Sequence, residues 1–280
     1  MLSETLNKPK PIIGTVHLQP LPGAPGWSGR TETIITAAEQ AAMALASGGV
    51  DGLLIENTGD MPSVHPTLPP AALALMTALA KRLDAMTGLP LGISVLPNDV
   101  EAALAIALAV DAQWIRVPVL LGSLLTPWGW LAPALPRLLA MRQALRLGGR
   151  RPSVWADIGP GHQWPGEPQQ ETAMASVPHA LCRMAQALEA TRLVDGLLYT
   201  GNDLEMLQTL STASALPVSM AGSLPLAELS DWAPHAEGYV WPQPAQDAGA
   251  PGATPRPVDM LDVERWVTAW SAQPRVLGSR

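Results

Sequence analysis

Eight short apolar runs of β type alternate with longer stretches of helical spacing along the whole chain, and this alternation constrains the fold more than any other feature. The runs are Ile12–Val16, Leu53–Ile55, Leu91–Val95, Trp114–Val117, Ser153–Ala156, Leu197–Tyr199, Val218–Ala221 and Gly238–Trp241. Between them, Thr33–Ser47, Leu68–Met86, Val100–Val110, Ala134–Leu147, Glu171–Ala190, Asp203–Ala213 and Leu226–Trp232 repeat apolar residues on one helical face, and Val258–Trp270 closes the series. Strands alternating with helices imply right-handed crossovers and a parallel sheet. Eight units in 280 residues favour closure into a single α/β domain, a (β/α)8 TIM barrel covering 1–280, over an open sheet. The stretch at about 242–257, rich in Pro, Gly and Ala, reads as an extended connector inside that domain.

Two strand entries repeat. V-D-G-L-L-I-E begins at Val50 and V-D-G-L-L-Y-T at Val194. These would be the second and sixth strands. Shared turn chemistry, since Asp-Gly suits a tight helix-to-strand turn, and an ancient half-barrel duplication both account for it. The apolar segment Pro118–Pro133 reads as a long irregular loop.

Composition narrows the function classes. The formal charge is −7 and no basic run of five or more occurs, which argues against a nucleic-acid surface. No apolar stretch is long enough to span a bilayer and the N-terminus shows no signal segment, so a cytoplasmic protein without membrane insertion is expected. Cys182 is the only cysteine and sits in an apolar helical stretch, as a core thiol would. Phenylalanine is absent while there are ten tryptophans, a bias for which the sequence offers no physical account.

In a parallel barrel every strand delivers its C-terminal end to one face, where the chemistry sits. Those ends carry His17, Glu56-Asn57, Asn98-Asp99, Arg116, Asp157, Thr200 with Asn202, Gly222-Ser223 and Trp241-Pro242. His17, Glu56, Arg116 and Asp157 combine an imidazole, two carboxylates and a fixed cation, a set suited to acid–base chemistry when burial drives their pKa values apart. Glu56, Asp157 and His17 are the catalytic candidates. Arg116 would hold a carboxylate or developing negative charge. Asn57, Asp60, Asn98, Asp99, His162, Asn202, Gly222 and Ser223 would bind substrate or brace the loops. Trp128, Trp130 and Trp164 would wall the mouth or pack on the surface. No His-x-His or His-x-x-x-His spacing points to a metal, although His17, Glu56 and Asp157 from separate strands form a set that a divalent ion accepts. The three lysines, Lys8, Lys10 and Lys81, lie away from the strand ends, which excludes Schiff-base aldolase chemistry there. No Walker loop, Gly-x-Gly-x-x-Gly or Gly-x-Ser-x-Gly is present, so no cofactor is called for.

The stretches P-I-I-G-T-V-H-L-Q-P-L-P-G-A-P (11–25), G-G-V-D-G-L-L-I-E-N-T-G-D-M-P (48–62), P-L-G-I-S-V-L-P-N-D-V-E-A-A-L-A-I-A (90–107), D-A-Q-W-I-R-V-P-V-L-L-G (111–122) and W-A-D-I (155–158) resemble the BtpA/SgcQ family. The resemblance implies a barrel related to phosphate-binding barrels. It also implies a role linked either to photosystem I biogenesis or to an unsettled reaction beside sugar transport. The chain departs from the family pattern in four places. Pro118 stands where relatives have Asn, and Asp157–His162 lacks a His and a Lys. Gly222-Ser223-Leu224 replaces Gly-Ser-Gly, and Trp241-Pro242 replaces a small pair. The last two changes remove donors and add bulk where such barrels hold phosphate, so phosphate binding is expected to be weakened or lost. Three readings follow. The first is an enzyme acting by acid–base chemistry on a small polar metabolite. The second is a non-catalytic assembly factor with a protein partner. The third is a divalent-metal enzyme. A homodimer is compatible with each.

Overall fold

The computed structural model describes residues 6, 8–126, 129–145, 152–159, 162–163, 177–243 and 255–274. In chain order the strands are β1 (Ile12–His17), β2 (Gly52–Glu56), β3 (Leu91–Ser94), β4 (Trp114–Val117), β5 (Ser123–Thr126), β6 (Gly129–Leu131), β7 (Ser153–Ile158), β8 (His162–Gln163), β9 (Gly196–Tyr199), β10 (Val218–Ala221) and β11 (Tyr239–Trp241). Eight of them, β1–β4, β7 and β9–β11, pair in parallel and close into a barrel through β1 and β11. The helices are α1 (Thr31–Ser47), α2 (Pro70–Thr87), α3 (Val100–Val110), α4 (Leu135–Ala144), α5 (Val177–Thr191), α6 (Leu204–Ala213), α7 (Leu229–Trp232) and α8 (Met260–Ser271).

Local chemistry sets the helix ends. Pro70 opens α2, and Gly88 ends it with φ +63°, a left-handed conformation that glycine adopts without strain. The side chains of Asp99, Asp203 and Asp259 accept backbone N–H groups at the starts of α3, α6 and α8. The seventh helix is shorter than its pattern suggests. A 3-10 turn, Leu226–Glu228, leads into the four residues of α7, and Pro234 follows directly in a second 3-10 turn.

The segment after β4, expected to be an irregular loop, holds strands among its described residues. β5 and β6 form an antiparallel hairpin, and β8 pairs with β5 on its other edge. Its apolar run masked the alternation that marks a hairpin, and the partner strand β8 is only two residues long. Trp128, Trp164 and the first part of the predicted fifth helix lie outside the described residues, as does most of the connector (244–254).

Two tryptophans fill the lower lumen. Trp114 on β4 and Trp155 on β7 join Ile13, Leu54, Leu198, Ala221 and Val240 in a cluster inside the barrel. Each lies across a glycine. A Cβ on Gly92 would come within 1.9 Å of Trp114 Nε1, and one on Gly196 within 2.3 Å of Trp155 Cη2. The indoles thus occupy the volume that neighbouring strands leave empty, which gives a packing role to part of the tryptophan excess.

The repeated entries fall on β2 and β9, the second and sixth barrel strands. Asp51 Oδ2 accepts the Ile12 N–H at 2.9 Å, and Asp195 Oδ2 accepts the Val154 N–H at 2.8 Å. In each case the aspartate's own N–H returns to the same residue's carbonyl, at 2.8 Å. Gln113, which has no such repeat around it, does the same for Leu91 on β3. The motif therefore serves as a register clamp on the preceding strand. Lys8 and Lys10 sit at this far end, Lys8 on Asp51 and Lys10 against the carbonyls of Gln273 and Pro274 beyond α8.

Candidate active site

Strand alternation points His17, Glu56, Ser94, Arg116 and Asp157 into the upper lumen. The register aligns Glu56 with both His17 and Ser94, and Ser94 with Arg116. Four of the sequence candidates meet there. Arg116 Nε and Nη2 donate to Asp157 Oδ1 and Oδ2 at 2.9 and 2.8 Å, a bidentate fork. Its Nη1 donates to Glu56 Oε2 at 3.2 Å. Thr58 Oγ1 donates to Glu56 Oε1 at 3.1 Å, and His17 Nε2 stands 3.8 Å from that oxygen.

Burial and charge set the protonation states. Burial pushes the Glu56 pKa up, but Arg116 and then His17 outweigh it, helped by the Ser94 and Thr58 hydroxyls, and the carboxyl is held below its ordinary value. The His17 pKa is lowered chiefly by burial, with the Glu56 charge opposing and Arg116 adding to the effect. Burial pulls the Arg116 guanidinium down, yet Asp157 and Glu56 raise its pKa further above the ordinary range. These directions favour a Glu56 carboxylate, an Arg116 guanidinium and a neutral His17 imidazole at neutral pH.

Arg116, expected to hold a carboxylate or developing negative charge, is engaged with the two acidic side chains of the cluster. Three of its N–H groups already face the two carboxylates. The same fact bears on the metal reading. The guanidinium sits between Glu56 and Asp157, and among the described residues no three His, Cys, Asp or Glu side chains gather around one point.

The other candidates separate into two groups. Asn57 donates to Asp60 Oδ2 at 2.8 Å and accepts the Leu96 N–H at 2.7 Å, while Asp60 Oδ1 accepts the Leu21 N–H at 2.7 Å. Burial raises the Asp60 pKa. Gly59 lies so close to the first loop that a Cβ there would meet Leu18 O at 2.6 Å. Asn98 donates to Val119 O and Ala132 O and accepts the Val119 N–H, pinning both ends of the hairpin segment. Asp99 caps α3 and accepts the Leu68 N–H at 2.8 Å. These four direct their polar atoms to neighbouring loops. Asn202, Gly222 and Ser223 lie at other strand ends, and Asn202 and Ser223 are exposed. Gly222 has φ +127° with open space where a side chain would stand. His162 is in β8.

Trp241 is not mouth bulk. Its side chain is buried in the outer core, because Val240 takes the inward position on β11. The residue that does fill the eighth strand end was missed. Gln243 is buried, accepts the His17 N–H at 2.9 Å and donates to Arg256 O at 2.7 Å. An amide two residues past a strand leaves no periodic signal. Ser94, read as part of an apolar run, was missed too.

The model of the BtpA family matches residues 8–240. The chain belongs to the BtpA family. It is 40% identical over 174 residues to the photosystem I biogenesis protein BtpA of Synechocystis sp., a match covering 62% of this chain and 60% of that protein. An uncharacterised protein of Pyrococcus abyssi is 31% identical over 233 residues, covering 82% of this chain and 85% of its own length. Among solved structures, the N-(5'-phosphoribosyl)anthranilate isomerase of Pyrococcus furiosus superposes with a TM-score of 0.51 at 11% identity, over 94% of this chain and 98% of that one. That likeness concerns the BtpA-family fold alone. Among the described residues no helix is long and apolar enough to cross a membrane.

Proposed function

We propose that this BtpA-family barrel is an enzyme that performs acid–base chemistry on a small polar metabolite at its C-terminal mouth. One observation carries the reading: Glu56, buried, lies 3.2 Å from the Arg116 guanidinium and 3.8 Å from the His17 imidazole. A buried carboxylate beside a neutral imidazole supplies a proton acceptor and a second group to pass the proton on. Glu56 is the general base. His17 relays or orients the proton. Asp157 holds Arg116 in place, and Arg116 sets the charge of Glu56 and steadies negative charge that develops on the substrate. Asn57, Asp60, Asn98 and Asp99 brace the surrounding loops, and His162, Asn202, Gly222 and Ser223 form the rim. Phosphate is bound weakly, because Pro242 has no N–H to donate and Gln243 occupies the adjoining strand end.

The test is a metabolite-extract incubation followed by mass spectrometry, with wild type and Glu56→Gln side by side. Depletion of a metabolite by wild type and not by Glu56→Gln supports the assignment. Equal turnover by both removes Glu56 from the mechanism.

A second reading rests on the hairpin. Leu125 and Trp130 are cross-strand partners and each stays more than half exposed, at 54% and 53%. An exposed apolar pair suits a protein partner, and the Synechocystis relative is named for photosystem I biogenesis. In this reading the barrel is an assembly factor. A native pull-down with wild type and Trp130→Ala tests it, and recovery of the same partners by both would count against the hairpin.

A further inference from the structure

The His17 end of β1 is held differently on its two edges. Toward β2 the pairing runs on to His17 opposite Glu56, and the Leu18 N–H then donates to Glu56 O at 2.8 Å. Toward β11 the pairing stops at Gly14 opposite Trp241. The next residue on that side is Pro242, which has no N–H to give to a ladder. No strand therefore meets the His17 N–H, and a backbone donor shielded from water needs an acceptor. Gln243 supplies one from its side chain, with Oε1 at 2.9 Å.

The direction of that amide is fixed at its other end. Gln243 Nε2 donates to Arg256 O at 2.7 Å, and a carbonyl oxygen accepts only from the NH2 end of an amide. Oε1 is thereby turned to His17. Gln243 is buried, so water competes little for either bond. The same residue bears on the ring. The Gln243 backbone favours the protonated imidazole, as Glu56 does, while burial and Arg116 oppose it. The imidazole thus faces Glu56 and Arg116 from the lumen and Gln243 from the strand end.

We propose that Gln243 is a positioning residue for His17: its side-chain amide sets the main chain from which the imidazole reaches to 3.8 Å from Glu56. The inference rests on the acid–base reading of this mouth and adds the residue that keeps the proton relay within reach of the base. A displacement of about 1 Å at a reacting group is enough to cost about 100-fold in rate, so a tie on the strand end matters to the chemistry. The tie also joins the site to the chain beyond it, because Gln243 and Arg256 stand on either side of residues 244–254.

The test follows the His17 ring by NMR titration of the whole protein. It needs no substrate, so its outcome is separate from the metabolite comparison that decides the acid–base reading. The Glu56 charge raises the His17 pKa. Glu56→Gln should therefore lower it, and the size of that drop reports how well the ring is placed on Glu56. The drop is measured in the wild-type, Gln243→Leu and Gln243→Glu backgrounds, together with hydrogen exchange of the His17 N–H. Leucine keeps an apolar filling and removes both bonds, whereas glutamate keeps an acceptor for the His17 N–H. The expected result in Gln243→Leu is about tenfold faster exchange, from the loss of one hydrogen bond, and a smaller drop. Gln243→Glu should restore both. Equal drops in all three backgrounds would show that Gln243 only braces the strand, and the positioning role is then overturned. A drop that shrinks as much with glutamate as with leucine assigns the effect to the Arg256 bond and overturns the tie to His17. If Glu56→Gln or Gln243→Leu fails to fold, Gln243→Glu decides without them. Its new carboxylate should raise the His17 pKa while the His17 N–H stays as protected as in wild type, and a folded variant with an unmoved His17 pKa overturns the inference.

Discussion

Arg116 reaches Glu56 across an intervening strand. The two residues sit on β4 and β2, and Ser94 on β3 lies in register with both. The 3.2 Å contact between Nη1 and Oε2 therefore spans two strand spacings, and it exists because the residue between them is small. The upper lumen follows the same rule as the lower one, where Trp114 leans over Gly92. Strand β3 supplies short inward side chains and β4 supplies long ones that lie over them.

Enlarging Ser94 should therefore break the site without touching its charged members. Ser94→Leu is expected to force Arg116 away from Glu56 and to destabilise the fold by about 1–3 kcal/mol through overpacking. Ser94→Ala keeps the small volume and removes only the hydroxyl beside Glu56, so it is expected to cost less, about 1 kcal/mol. Urea denaturation of the two variants checks the contrast. Equal losses from both would show that the hydroxyl, rather than the small volume, is what the position requires.

Removing the shared cation should be costlier. Arg116→Met leaves Glu56 and Asp157 buried with no counter-charge, and breaking a buried pair in this way costs about 3–5 kcal/mol. Arg116→Lys is expected to recover little, because an ammonium cannot form the fork to Asp157 and reach Glu56 at once. Thermal melts of both variants at neutral pH give the comparison. A lysine variant as stable as wild type would show that charge alone matters.

Acid should weaken the protein in a window set by His17. Its folded-state pKa lies below the ordinary 6.5, chiefly because burial disfavours the imidazolium. As pH falls from neutrality, the unfolded chain takes up this proton first, so the stability present above 6.5 is lost as the pH drops through the lower folded value. Glu56, also lowered, loses its contribution in the same direction below 4.5, while Asp60, raised by burial, acts in the opposite sense. The slope between neutrality and about pH 5 is thus the clean signature of the imidazole. His17→Gln should flatten it, measured as chemical-denaturation midpoints against pH. A slope unchanged in His17→Gln would place the titrating group elsewhere.

Much of this architecture was legible in the sequence. The eight β runs fell where the barrel strands lie, because parallel strands buried on both faces read as continuous apolar runs. His17, Glu56, Arg116 and Asp157 were recognisable because barrel strands all end at one mouth. Their partnership was not, since the reach of a guanidinium across Ser94 depends on register, which pattern does not give. The hairpin after β4 hid in an apolar stretch whose partner strand is two residues long. Gln243 was invisible for a similar reason, being polar and aperiodic in a proline-rich segment. Asn57, Asp60, Asn98 and Asp99 looked like substrate-binding or loop-bracing residues because they stand at strand ends. Their bonds run to Leu21, Leu68, Leu96, Val119 and Ala132 in neighbouring loops, which fits the bracing half of that expectation. The repeated Asp-Gly entries carried real information about the far end of the barrel, as clamps on adjacent strands.

The lower lumen gives a sharper test of how this chain uses tryptophan in place of phenylalanine. Gly92→Ala would place a methyl 1.9 Å from Trp114 Nε1, and Trp114 is only 3% exposed, so the indole has little room to withdraw. Overpacking of this kind costs about 1–3 kcal/mol, and the cost rises where the clashing ring is held on several sides. Trp114 also meets Gly52 on β2, where a Cβ would lie 3.0 Å from Cη2, so the ring is confined from two strands. The expected fall in midpoint is about 2–4 °C for each kcal/mol lost. Trp114→Leu alone should be destabilising through the cavity it opens. Combined with Gly92→Ala it should cost less than the sum of the two, because the added methyl fills part of that cavity. Thermal melts of the single and double variants complete the cycle. Additive losses would mean that the glycine is needed for backbone conformation and not for the space the indole takes.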